Sequence, residues 1–438
     1  MTLITQRLYA LAVASLIIRL AAPAITIDEA RAVEMALENS KEMKMAQNAV
    51  SQAALNRGIA RTAYLPDFSG SALGIWRAPD SQSDMGITLR MRGVYMAGIS
   101  LTQPIFAGGK IIAANKLAGI GQTVADQQLR QTRINVSANA IVAYWSYVAV
   151  LAKVDMMESY RALVDTAYRQ TLAAVDAGMA TRNQLLRIEA RRSSVVYQQE
   201  QVAGGAELCR MALCTALGLP NDTPVAIADS VIPSELPDGL ESYDLDNRPE
   251  MQLLRADIEA KRQQVRMARA DFLPQVVLQG GWSAYGNMKL TMMQQLPDGN
   301  YMPVTQKINE NGWNIMLGVQ VPIFHWGEGL KKVKHAKLDV DNALLSLDHN
   351  ADLLDLQVKQ AITNVRTGAE LVRSANTAVS QAEAALNSTS EAYSLGLTPI
   401  TDLLDAQAQW HSARANLIEA QTQLRINIVD YRSATATL

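Results

Sequence analysis

Phenylalanine is nearly missing from this chain, with four in 438 residues, and Phe, Trp and Tyr together make up 5%. So few large rings exclude a thick globular core and favour thin packing between long helices, built from Ala, Leu, Val and Gln. Net charge is missing as well. Forty Lys and Arg against 42 Asp and Glu leave −2, so no basic field exists to hold nucleic acid, which is not an expected partner. No 18 consecutive apolar residues occur, so no transmembrane helix is expected. The two cysteines, Cys209 and Cys214, are five apart in a helical stretch. Their α-carbons would lie roughly 8 Å apart on different faces, which favours two packed thiols over a disulfide. The four histidines (His325, His335, His349, His411) have no metal-ligand spacing, and no G-x-S-x-G, P-loop or dinucleotide fingerprint occurs. No enzyme activity, metal or cofactor is expected.

The present features begin with an N-terminal export signal over residues 1–24. Arg7 supplies its positive end, Leu8 to Ile18 its apolar stretch, and Ala22-Pro23-Ala24 its A-x-A cleavage site. No Cys lies nearby to take a lipid. Beyond it the chain repeats itself. Asn39-Ser-Lys-Glu-Met43 matches Asn247-Arg-Pro-Glu-Met251, and the segment from Ala60 to Pro66 matches Ala268 to Pro274, both at an offset of 208. Pro104-Ile-Phe106 matches Pro322-Ile-Phe324, Gly178 matches Gly396, and Leu185-Leu186 matches Leu403-Leu404, all at 218. Five blocks in the same order define two copies of one unit, over 25–217 and 247–438. Residues 218–246 hold four prolines and read as the connector.

Proline placement divides each unit. None occurs in 105–219, in 323–398 or after 399. An interior proline costs a helix about 3 kcal/mol, so these spans permit very long helices, over 108–177 and 327–394, with partners over 181–217 and 400–435. In the last, Leu403, Trp410, Leu417, Leu424 and Tyr431 recur every seven residues, with Ala406, Ala413 and Ala420 at the second seam position. Between the duplicated blocks the period is two. The odd positions Leu89 to Leu101 are expected on one face, and Trp313, Ile315, Leu317, Val319 and Val321 alternate likewise. Each unit therefore holds a hairpin, over about 68–102 and about 275–322.

Four strands cannot close a barrel, and unpaired backbone groups in lipid cost several kcal/mol each, so closure must come from several copies. Two copies give eight strands with a filled interior; three give twelve and a lumen. Phe68 and Phe272 flank the strand entries, while Phe106, Phe324 and Trp326 end the exits. This distribution suits a girdle at a membrane interface.

The runs N-x-P-E-M at 247–251, F-L-P at 272–274, Q-P-I-F-A-G-G-K at 103–110 and G-L-x-x-I-x-D-L-L-D at 396–405 resemble those of the TolC family of outer-membrane efflux proteins, in family order across the mature chain. The resemblance implies a mainly α protein with membrane β-structure. Its fold would be a homotrimer with a twelve-stranded outer-membrane barrel, a long periplasmic α-helical barrel and an equatorial region. It implies an exit duct docked to a periplasmic adaptor protein and an inner-membrane pump of RND, ABC or MFS type, set in outer-membrane lipid. It places adaptor contacts at the helix tips Ala177-Gly178-Met179 and Leu395-Gly396-Leu397. Asp402 and Asp405 would line the periplasmic constriction with Tyr393 as a latch residue. The chain departs from the family where Thr398 replaces a latch Arg and Gln184 its acidic partner; Arg182 on the facing tip is then a candidate partner for Asp402. The rival reading is an exported coiled-coil scaffold without a pore.

Overall fold

The computed structural model describes residues 25–83, 87–229, 231–237 and 239–438, so the export signal over 1–24 lies outside the described residues. Two compact units emerge, one from 25–49, 126–253 and 348–438, the other from 50–125 and 254–347.

The first unit is helical. Its core helices are α3 (Lys110–Asp176), α4 (Arg182–Ala216), α6 (Glu328–Ser394) and α7 (Ile400–Ala434), of which the first part of α3 and of α6 belongs to the other unit. At 67 residues each, α3 and α6 run about 100 Å at 1.5 Å per residue. The heptad positions of α7 pack inward, with Leu403, Trp410, Leu424 and Tyr431 buried and Leu417 packed beside them. Among the described residues α3 alone contains an 18-residue window apolar enough to cross a bilayer, against the expectation of none, but more than half of that window is buried. Its apolarity belongs to the helical core, to which α3 supplies Tyr144, Trp145 and Val148. The connector holds structure the sequence pattern did not reveal. Strand β1 (Ile25–Ile27) pairs in parallel with β6 (Val225–Ile227), beside the short helix α1 (Glu29–Asn39). Glu29 anchors this region, accepting from Trp145 Nε1 and from Arg425, each at 2.7 Å. Tyr144 donates to Asp229 at 2.6 Å, and burial followed by that carboxylate pushes its hydroxyl well above the usual tyrosine range. Both cysteines are free thiols on α4, Cys214 buried and Cys209 half-buried.

The second unit is built on a sheet. It contains β2 (Asp67–Trp76), β3 (Ser81–Gln82), β4 (Thr88–Arg90), β5 (Arg92–Ala107), β7 (Gln275–Gln295) and β8 (Tyr301–Gln320). Most of α2 (Lys41–Thr62) and of α5 (Pro249–Ala270) also lies here. Every pairing is antiparallel: β2 with β5, β5 and β4 with one side of β7, β8 with the other, and the short β3 with β4. Strands β2 and β8 are the long edges.

The first hairpin pairs out to Asp67 opposite Thr102, close to the expected bounds, while β5 itself runs on beside β7 to Ala107 opposite Gln275. Pro104, which lacks an N–H, is accommodated by a register shift between Pro104 and Phe106. One strand expectation needs correction: the odd residues from Leu89 to Leu101 do not share a face. Gly93, near the start of β5, takes a positive φ of 70° and is the extra residue where the pairing with β2 shifts between Ile75 and Trp76, and a one-residue slip flips every side chain beyond it. Leu89 consequently lies opposite Leu290, on the other face from Tyr95, Ile99 and Leu101.

Candidate functional site

Register separates the two faces of the sheet. One face carries the row Phe68, Leu101, Gly280, Ile315 and the row Gly70, Ile99, Trp282, Trp313. The other carries Ser69, Ser100, Gly281, Asn314 and Asp67, Thr102, Gln279, Met316, with Ser69 and Ser100 hydroxyls 2.9 Å apart and the Tyr285 hydroxyl bonded to Glu310. Apolar side chains stand unburied on the first face: Trp313 is 79% exposed and Ile315 84%. An alternation with the apolar face unburied suits lipid on one side and water on the other. The aromatics expected at a membrane interface are likewise uncovered, with Phe68, Phe106, Phe272, Phe324 and Trp326 all exposed. Phe324 and Trp326 meet edge to face at 5.1 Å. Phe272 fills the space beside Gly329, leaving no room there for a Cβ.

The two helix tips are built alike. Gly178 and Gly396 take φ of 75° and 71°, the left-handed cap that an L residue resists. Met179 N–H donates to Ala174 O at 2.8 Å and Leu397 N–H to Ala392 O at 2.9 Å. Gly178 and Gly396 N–H reach back three residues, to Val175 O and Tyr393 O, completing a Schellman motif at each tip. Neither glycine has an atom near the position a Cβ would take. Around them Ala177 is exposed, and Met179, Leu395 and Leu397 are 73–81% exposed. Small apolar knobs therefore stand at the two turns.

Of the residues expected at the aperture, Asp402 and Asp405 both lie on the exposed face of α7, while Leu403 and Ala406 on its other face are buried. Three-residue spacing gives that arrangement directly. Arg182 is exposed, and among the described residues no ion pair joins it to Asp402. Gln184 has a structural task. Its side chain accepts from Thr181 N–H at 2.7 Å while the Thr181 hydroxyl accepts from Gln184 N–H at 3.4 Å, a capping box starting α4. The second repeat starts α7 on Pro399 with no side-chain cap, and the Thr398 hydroxyl oxygen is buried with no partner among the described residues. Tyr393 is half-buried, and its hydroxyl lies 2.8 Å from that of Thr171, a fully buried residue of α3. Thr171 was not legible in the sequence, since a lone helical Thr carries no pattern. Further along the bundle Tyr160 stacks on His411 at 4.6 Å, the Arg191 guanidinium lies over the Tyr160 ring, and His411 Nε2 is 3.2 Å from Met157 Sδ. Burial, reinforced by Arg191, holds the His411 imidazole below its ordinary range.

A sheet with one unburied apolar face and helix pairs capped by exposed apolar turns fit an outer-membrane channel subunit. The sequence profile of the outer membrane efflux protein family matches residues 32–219 and 242–437. The chain belongs to that family, whose members are transport channels of the outer membrane. The solvent efflux pump outer membrane protein SrpC of Pseudomonas putida is 22% identical over 404 residues, 89% of this chain and 81% of that protein. The alkaline protease secretion protein AprF of Pseudomonas aeruginosa is 22% identical over 419 residues, 92% and 82% of the two chains. The crystal structure of VceC from Vibrio cholerae superposes with a TM-score of 0.75 at 18% identity, covering 93% of this chain and 96% of that one.

Proposed function

We propose that three copies of this chain form a passive export duct, opened when its helix tips dock to a periplasmic adaptor and, through it, to an inner-membrane pump. The observation that carries this reading is the pair of free edges on an amphipathic sheet. In lipid, roughly half the backbone groups of β2 and β8 would lack partners, each at several kcal/mol, so the sheet is viable there only when closed on other copies. Twelve strands leave a lumen that eight do not, and the Ser, Thr, Gln and Asn face would line it.

At the periplasmic end, the exposed Met179, Leu395 and Leu397 supply apolar contact for the adaptor, with Ala177 and the capped Gly178 and Gly396 letting it approach closely. Asp402 and Asp405 of three copies would place six carboxylates about one axis, attracting cations and discouraging anions. Tyr393, held to Thr171, latches that constriction, and Gln184 and Thr398 frame it without the charges of the family latch. Phe68, Phe106, Phe272, Phe324 and Trp326 form the interfacial girdle. The role is passage without catalysis. SrpC and AprF are named for solvent efflux and for protease secretion, so family membership leaves both kinds of cargo open to this duct.

Deleting the protein from its host and measuring survival on structurally diverse toxic compounds, together with protein secretion, tests the proposal. Sensitisation or a secretion defect is expected. Unchanged survival with unchanged secretion would refute an export role.

A further inference from the structure

Beyond the apolar rows, the sheet places three cations side by side: Arg90 of β4 lies opposite Lys289 of β7, which lies opposite Lys307 of β8. Like charges facing each other across strands repel, so this row is unfavourable unless an anion covers it. Arg90 is partly answered by Asp80 at 2.9 Å. Among the described residues, Lys289 and Lys307 have no ion pair and no hydrogen bond from their ammonium groups. The extra residue at the shift between Tyr285 and Met288 falls in β7, so β8 alternates without a break. Lys307 accordingly lies on the same face as Asn311, Trp313, Ile315, Leu317 and Val319. No other charge occurs on that face of β8 between Lys307 and Val319.

Height decides what the row meets. Val319 pairs with Val276, which lies opposite Phe106 at the strand–helix junction. Lys307 is twelve residues further along β8, about 40 Å along the strand, or about 30 Å along the membrane normal at the tilt of such barrels. An outer-membrane apolar band is about 25 Å tall. The row therefore stands just past the band, at the end of the sheet away from the helices, with lysine stems long enough to reach back toward the headgroups.

We propose that Arg90, Lys289 and Lys307 form a docking site for the phosphates of outer-leaflet lipid, repeated in each copy around the closed barrel. The proposal rests on the reading of this sheet as an outer-membrane wall. The occupant is a lipid phosphate in preference to a free one because the cations stand on the same face as the apolar rows, separated from them on β8 by the polar Asn309 and Asn311, and do not line a pocket.

The test titrates the purified, detergent-solubilised oligomer with bisphosphorylated lipid A and with its dephosphorylated counterpart, following bound lipid by native mass spectrometry. The wild-type channel should retain the phosphorylated lipid at least tenfold better, with a preference that shrinks as salt is raised. Lys289→Gln with Lys307→Gln should weaken retention by about 25-fold, on the basis of about fivefold per lysine. Lys289→Arg with Lys307→Arg should preserve it. Inorganic phosphate at the lipid's concentration should not displace the lipid; full displacement would mark a free-anion site and overturn the proposal. Equal retention of both lipids, or a Gln variant with intact oligomer and wild-type retention, would overturn it too. Failure of the wild-type protein to insert into outer-membrane vesicles would instead strike at the membrane reading beneath it.

Discussion

Tyr393→Phe should make the duct open more readily. The substitution removes one hydroxyl and leaves the ring, so packing around α6 changes little. The lost bond is the 2.8 Å contact with Thr171. Thr171 keeps a second partner, since its hydroxyl donates to Ala167 O, also at 2.8 Å, so no buried group is orphaned. A bond of this kind contributes about 1 kcal/mol net. If the three copies loosen independently, each tip opens about fivefold more often; if the constriction widens only when all three release together, about 3 kcal/mol shifts the equilibrium by about 150-fold. Single-channel recording in planar bilayers separates the two regimes through the number of conductance levels and the time spent in each. Thr171→Val should match Tyr393→Phe, and the double variant should equal either single one, because both remove the same bond. Wild-type open times in both single variants would refute the latch. Additive effects would show that the two hydroxyls act through different contacts.

Asp402→Ala with Asp405→Ala should relieve block of the open channel by multivalent cations in the same recordings; block equal to wild type would remove the two acids from the constriction. Gly108→Ala should destabilise the protein by well over 1 kcal/mol, since φ is 61° and a Cβ would lie 2.6 Å from Ala270 O. Gly109→Ala, at φ 84° with nothing nearby, should cost only about 1 kcal/mol, and the temperature at which the oligomer dissociates on heating should rank them in that order. His411 supplies a pH dependence. Its folded pKa lies below the ordinary value of 6.5, so the unfolded chain takes up a proton first, and stability falls as pH drops from about 6.5 through the folded pKa. His411→Gln should flatten the denaturant midpoint between pH 7 and pH 5, and an unchanged slope would contradict the burial argument.

Long elements were legible because they are periodic. The absence of proline and the heptad of α7 mark 67-residue and 35-residue helices within two residues at each end, and the duplicated glycines mark both turns. The strands were visible as alternation, but not where one residue breaks it. Gly93 can take a positive φ without strain, so nothing in its neighbours announces that Leu89 changes face. The pairing of β1 with β6 was hidden for a different reason. Three residues are too few to show a period, and their partner is 200 positions away. The shared exposed face of Asp402 and Asp405 could be read from their spacing, whereas the contact from Tyr393 to Thr171 joins residues 222 positions apart. The same limit applies to the cation row. Arg90, Lys289 and Lys307 look unrelated in sequence and meet only through strand register.

Electron microscopy of the detergent-solubilised particle, viewed down its symmetry axis, bears most directly on the claim that open sheets from separate copies seal one another. A threefold ring is expected, with twelve strands around a clear centre and β8 of one copy beside β2 of the next. A single-copy particle with both edges bare, or a ring whose strand layer is solid through the middle, would contradict it.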